Sequence, residues 1–218
     1  MAALSVYRTL EQTVDPAHSA LVIIDVQNDL CLPGYGPTIV RLQRLLEAAR
    51  AAGVLVVYIQ NSVLPGLSNS PAEIARRQNL GLPVEVTVAG TDGEQIVAAI
   101  APKPGEPIVR KHRLNAFAGS DLEMLLRSRG IETVIITGVA THGCVTGTSY
   151  AAQGLNYYVV VVEDCVDSWK KDLNDAALHV LRGTMNFLTS ADTLIGIWKG
   201  AGGRLREVRS SRPLGAVS

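Results

Sequence analysis

Cys144 follows a strand-like run (133–137) and a turn of small residues (138–143), and it heads a helical run at 145–154. A thiol placed there meets unpaired backbone N–H groups and the positive end of a helix dipole, both of which favour a thiolate. Two further side chains could work with it. Asp25 lies near the end of the apolar run SALVIIDV (19–26), and Lys111 ends EPIVRK (106–111). Nucleophilic thiol chemistry needs these three types. The thiol attacks, a carboxylate takes its proton, and a cation keeps the carboxylate ionised and lowers the thiol pKa. Each residue also has an ordinary reading. A lone cysteine is commonly a small buried hydrophobe, an Asp at a strand end caps a helix, and a Lys there is solvated. Only their joint placement points to chemistry.

That placement depends on the elements between them. Buried strands are expected at 19–26, 54–60, 106–111, 133–137 and 156–164, with a sixth around Phe187 and Leu188. Helices are expected at 39–52, closed by Gly53, at 120–129, at 145–154 and at 172–186. A short one at 94–100 would open on a Thr91–Glu94 capping box, and 120–129 on Ser120 and Glu123 with Gly130 at its end. Strands that are apolar throughout, separated by helices, imply a parallel sheet covered on both faces. The expected fold is therefore α/β, a single doubly wound domain with a mostly parallel sheet. All carboxyl ends then share one edge, where Asp25, Lys111 and Cys144 converge. The domain is expected to span 19–199, after an N-terminal extension (1–18) and before a flexible C-terminal tail (200–218). The alternative for the tail is an arm around a neighbouring subunit. Residues 61–93 are too long for an ordinary connection and read as a lid or a partner-binding excursion.

Composition narrows the partners. The chain has 218 residues with 20 Lys plus Arg and 20 Asp plus Glu, a formal net charge of zero. No broad electrostatic footprint for nucleic acid or an anionic membrane is present. The hydrophobic fraction is 47% and the charged fraction 18%, as in a globular chain. No apolar run approaches the roughly 18 residues of a membrane span. The first residues show no secretory pattern, and three widely spaced cysteines (Cys31, Cys144, Cys165) form no disulfide framework. A cytoplasmic protein acting on a small molecule is expected.

LVIIDVQNDL, VRKHRLNAF and ITGVATHGCV, in this order, resemble the three signatures of the isochorismatase-like cysteine hydrolases. That superfamily includes nicotinamidases, N-carbamoylsarcosine amidases, biuret hydrolases and ureidoacrylate amidohydrolases. The resemblance covers roughly 19–196 and implies roles for the matching residues. Asp25 would be the general base, Lys111 would favour the ion pair, and Cys144 would form an acyl-enzyme. It also implies a cis peptide at Val139–Ala140, which turns the N–H of Ala140 inward to join that of Cys144 as an oxyanion hole. Relatives are mostly oligomers, so a homodimer or homotetramer is implied.

The resemblance also bears on the branch. Some relatives that cleave the vinyl ether of isochorismate lack the cysteine, and this chain retains it. Nicotinamidases hold a metal through an Asp-x-His element and a further His between the first two signatures. Here His18, His112, His142 and His179 all fall outside that interval, so no metal and no cofactor is expected. YIQNSVLPG after the second strand resembles the ureidoacrylate branch. Asn61 there could hydrogen-bond a ureido group, or serve as a turn cap. Arg113 and Leu114 stand where that branch often has an aromatic, and Phe117 could supply apolar packing instead. His142 and Asn28 are further substrate-site candidates, and Arg110 and Arg113 are candidates for a substrate carboxylate. Asp29 reads as a cap, and Cys31 and Cys165 as bystanders. The expected function is a cysteine-dependent hydrolase. It would cleave a C–N bond of a small linear amide or a ureido or carbamoyl substrate and release ammonia or an amine. The alternatives are an isochorismatase-type vinyl-ether hydrolase and a catalytically idle binding relative.

Overall fold

Six strands pair side by side, every pair parallel: β1 (Ser19–Ile24), β2 (Leu55–Asn61), β3 (Ile108–Lys111), β4 (Thr133–Val139), β5 (Tyr158–Asp167) and β6 (Phe187–Thr189). Their order in the sheet is β3-β2-β1-β4-β5-β6. The computed structural model describes residues 6–31 and 33–210, and of 201–210 only the course of the helix. β1 is buried along its whole length, and its side chains alternate between two cores. Leu21 and Ile23 pack with Leu42, Leu45 and Leu46 of α2 (Gly36–Ala52) and Leu194 and Trp198 of α7 (Ala191–Ser210). Ala20, Val22 and Ile24 pack with residues of α4 (Leu122–Ser128), α5 (Thr146–Gly154) and α6 (Lys171–Arg182). Helices therefore cover both faces, as the unbroken apolar strands require.

From β1 the chain builds outward through β2 and β3, then crosses to β4 on the other side of β1. The switch point lies between the carboxyl ends of β1 and β4. Connections leave these two strands in opposite directions and open a crevice there. Asp25 directly follows β1, and Cys144 follows β4. The two strands meet closely. Gly138 pairs with Ile24 and has φ 105°, and a Cβ on it would stand 2.0 Å from the Ile24 carbonyl oxygen. No side chain fits there.

Several elements differ from the sequence reading. The helix expected at 94–100 is two separate 3-10 turns, Asp92–Glu94 and Ala98–Ile100, with Gln95 extended between them. Thr91 makes no side-chain cap. Backbone groups of this stretch instead serve the sheet edge: Glu94 O accepts from the side chains of Gln27 and Gln60, and Val97 N donates to Val26 O. Ser120 turns its hydroxyl to Ala116 O and accepts from Leu122 N, so the expected box with Glu123 does not form. Gly130 does close this helix, at φ 66°. A helix not foreseen, α3 (Pro71–Asn79), lies inside the 61–93 excursion. A short α1 (Leu10–Thr13), with Thr9 and Gln12 forming a capping box, lies in the expected extension. α6 ends at Arg182 rather than 186, and α7 runs through position 200 to Ser210. The last part of the expected tail, 211–218, lies outside the described residues. Among the described residues no helix is long and apolar enough to cross a membrane.

Gly138→Ala should destabilise the fold by more than about 3 kcal/mol, since both the clash and the backbone conformation oppose it. Gly154→Ala, in open space at the end of α5, should be neutral or gain about 0.5 kcal/mol. Urea midpoints of the two variants check both outcomes.

Candidate active site

The register of β2 on β3 sets Asn61 beside Lys111, and that of β1 on β4 sets Ile24 beside Gly138. Asp25, next after Ile24, has φ 54° and donates its N–H to Ile59 O at 3.0 Å. Asp tolerates this left-handed conformation better than most residues. Asp25 and Lys111 are both fully buried, at 0% exposure. Lys111 Nζ lies 2.8 Å from Asp25 Oδ2 and 3.3 Å from Cys144 Sγ. It also reaches Arg113 O at 3.0 Å and Asn61 Oδ1 at 3.5 Å. The three residues singled out in the sequence therefore meet around one ammonium group.

Cys144 is half-buried in a π-helical turn, Thr141–Val145, that leads directly into α5. The Val139–Ala140 peptide before it is cis. Ala140 O accepts from Gly143 N at 3.0 Å and from Val145 N at 3.2 Å, which folds the turn back on its start. Thr141 Oγ1 donates to Asn174 Oδ1 at 2.5 Å, and Thr146 Oγ1 donates to Thr141 O at 2.6 Å. The first ties the turn to α6 and the second to α5.

Burial pushes the Cys144 thiol up to about 12; the Asp25 charge adds to this and Lys111 opposes it. Burial also raises Asp25, against the pull of the Lys111 charge. Burial draws Lys111 down, but Asp25 and Cys144 outweigh it and leave the ammonium raised. Lys111 pulls the thiol down, as the sequence suggests, while burial and the Asp25 charge push it up further.

The remaining candidates divide. The Asn61 amide is engaged at both ends, donating to Thr87 Oγ1 at 2.7 Å and accepting from Lys111. His142 Nδ1 lies 2.8 Å from Ser168 Oγ, and its ring meets Trp169 edge-on with centroids 4.2 Å apart. Burial lowers its pKa. Phe117 packs against Tyr157 in the core, and Asn28 is exposed and spends its amide on Asp92 O at 2.9 Å. Arg110 alternates with Lys111 along β3, so it points away, to Gln60 Oε1 at 3.3 Å and Glu94 at 3.8 Å. Burial pushes Cys31 up to about 11 and raises Cys165 as well.

Two residues were missed. Gln27 is fully buried and clamps Asn61 from both sides, accepting from its N–H at 2.8 Å and donating to its carbonyl at 2.9 Å. A glutamine two places after Asp25 in an apolar run was a legible signal, because a buried amide must find partners. Thr87 is buried at φ 52°, accepts from Asn61, and donates its N–H to Asp29 Oδ2 at 2.8 Å. It sits in a stretch without periodicity and gave no signal. Among the described residues no group of three or more His, Cys, Asp or Glu side chains could hold a metal ion.

A family model described as the isochorismatase domain matches residues 19–193. The chain belongs to the isochorismatase family. Solved structures agree. A cysteine hydrolase from Pseudomonas syringae pv. phaseolicola, 22% identical, shares the fold at a TM-score of 0.79, over 92% of this chain and 100% of that one. An isochorismatase family protein from Desulfovibrio vulgaris subsp. vulgaris is 29% identical, with a TM-score of 0.71 over 87% of this chain and 99% of the other. N-carbamoylsarcosine amidase from Thermoplasma acidophilum is 27% identical, with a TM-score of 0.67 over 80% and 97%. This isochorismatase-family chain thus stands among cysteine hydrolases in fold, and a hydrolase is the class of enzyme its membership supports.

Lys111→Met leaves Asp25 buried without its cation and should cost about 3–5 kcal/mol. Adding Asp25→Leu to Lys111→Met should recover most of that loss, because the uncompensated charge is then gone. Denaturant unfolding of the two single variants and the double variant measures the coupling.

Proposed function

We propose that the chain hydrolyses a C–N bond of a small linear amide, or of a ureido or carbamoyl compound, through an acyl-enzyme on Cys144. One observation carries the reading: a single buried ammonium contacts both the Asp25 carboxylate, at 2.8 Å, and the Cys144 sulfur, at 3.3 Å. A carboxylate and a thiol held on one cation are placed to exchange a proton.

As Sγ bonds to the substrate carbonyl carbon, the thiol proton passes to Asp25. The carbonyl oxygen takes the negative charge, and the N–H groups of Ala140 and Cys144 receive it. Asp25 then protonates the leaving nitrogen and the C–N bond breaks, releasing ammonia or an amine. Water attacks the thioester and gives its proton to Asp25. The sulfur leaves as the acid product forms and takes the proton back. Lys111 stays an ammonium throughout, which suits a group whose pKa is raised. Because the thiol is protonated at rest, a raised Asp25 is the better-matched base: the gap between donor and acceptor is smaller than for an ordinary carboxylate.

The likeness to N-carbamoylsarcosine amidase supports a carbamoyl substrate. Of the candidate contacts, His142 flanks the nucleophile and fits a substrate-facing role, while Asn61 acts through Lys111. The enzyme works without metal or cofactor, in the cytoplasm, as a homodimer or homotetramer.

Ammonia release by the wild type, Cys144→Ala and Asp25→Asn tests this on ureidoacrylate, biuret, N-carbamoyl amino acids, nicotinamide and maleamate, with isochorismate followed by its own product. Turnover of a ureido or carbamoyl compound should fall at least about 10³-fold in both variants. Consumption of isochorismate alone would replace this reading with the ether hydrolase. No turnover at all would leave a binding protein.

A further inference from the structure

Asn61 meets Lys111 through a terminal amide whose two ends are chemically opposite: the oxygen accepts and the nitrogen donates. Gln27 holds the Asn61 backbone on both sides, so the amide keeps one freedom, a half-turn that exchanges oxygen and nitrogen. With the oxygen toward Lys111, at 3.5 Å, the amide dipole favours the ammonium. With the nitrogen there, two donors would face each other. Thr87 decides between the two. Its hydroxyl donates to Val86 O at 2.6 Å, so toward Asn61 it offers only a lone pair. Asn61 Nδ2 takes that lone pair at 2.7 Å, which turns Asn61 Oδ1 to Lys111. Thr87 is fully buried, and solvent does not compete for the hydroxyl.

The threonine is held where a threonine is costly. Its φ is 52°, in the left-handed region that β-branched residues avoid. Its N–H donates to Asp29 Oδ2 at 2.8 Å, and its carbonyl accepts from Val63 N at 3.0 Å, so the backbone is fixed on both sides. Strain of this kind persists only where surrounding structure imposes it, and it gathers at functional sites. Glycine would take the conformation at no steric cost, but it has no hydroxyl to direct the amide.

We propose that Thr87 is a positioning residue: its hydroxyl sets the direction of the Asn61 amide and, through that amide, the hold on the Lys111 ammonium that contacts Cys144. The inference rests on Cys144 being the nucleophile of the proposed reaction. Lys111 draws the Cys144 thiol down. An ammonium that loses its amide acceptor is held less firmly beside the sulfur, and the sulfur is then less reactive at a given pH.

Iodoacetamide reads the effect at the sulfur: Sγ bonds to the methylene carbon, iodide leaves, and the thiol proton goes to base. The rate at Cys144 is followed by mass spectrometry of its peptide at a fixed, mildly alkaline pH. Thr87→Val keeps the shape and the branching of threonine, removes only the hydroxyl, and should slow alkylation about three- to tenfold. Thr87→Ser keeps the hydroxyl and should stay within about twofold of the wild type. In an Asn61→Ala background, adding Thr87→Val should change the rate by less than about twofold, because the amide through which Thr87 acts is gone. If Thr87→Val does not fold, Thr87→Gly takes its place, with the same slowing expected. A wild-type rate in Thr87→Val would overturn the proposal, as would a Thr87→Ser as slow as Thr87→Val. An equal slowing by Thr87→Val with and without the Asn61 amide would also overturn it, since Thr87 would then support only the backbone of the excursion. A wild-type Cys144 that iodoacetamide does not modify would overturn the nucleophile reading and this inference with it.

Discussion

The arrangement of this edge follows from one buried lysine. An ammonium group taken out of water costs several kcal/mol unless acceptors surround it. Lys111 has four: Asp25, Arg113 O, Asn61 and Cys144. Each comes from a different part of the chain, and each depends on something further back. Asp25 arrives because β1 can lie against Gly138 without a clash. Asn61 arrives because Gln27 grips its backbone and Thr87 fixes its amide. Cys144 arrives because the π turn folds back on Ala140 O. Removing any support loosens an acceptor of a charge that has no water to fall back on.

The same burial bears on protonation. With one cation between them, Asp25 and Cys144 cannot both be charged without leaving an excess negative charge in a desolvated place, and burial and the Asp25 charge push the Cys144 thiol up.

Much of this was legible in the sequence, for identifiable reasons. Unbroken apolar strands between helical runs dictate a parallel sheet, and a parallel sheet gathers its carboxyl ends on one edge. Asp25, Lys111 and Cys144 could therefore be grouped without contact information. Local signals were less reliable where tertiary partners competed for the same groups. Thr91 and Glu94 spell a capping box, but the sheet edge claims the carbonyl of Glu94, and the helix gives way to two short turns. Ser120 likewise prefers Ala116 O. The Ser70-Pro71 start of α3 with Glu73 is a helix signal that was passed over in a stretch read as irregular. The pull of Lys111 on the thiol can be read from position, whereas the opposing depth of burial cannot. Asn28 was a candidate by its distance along the chain, and its amide turns to Asp92 O.

The most direct test of the account is an ultraviolet titration of the Cys144 thiolate in the substrate-free protein, with Cys144→Ser as the blank to remove Cys31 and Cys165. A neutral thiol at rest, pushed up to about 12, gives no thiolate absorbance from Cys144 through neutral pH. A full thiolate equivalent at neutral pH would contradict it. Cys144 would then rest as an ion pair with Lys111, and Asp25 would have no proton to take.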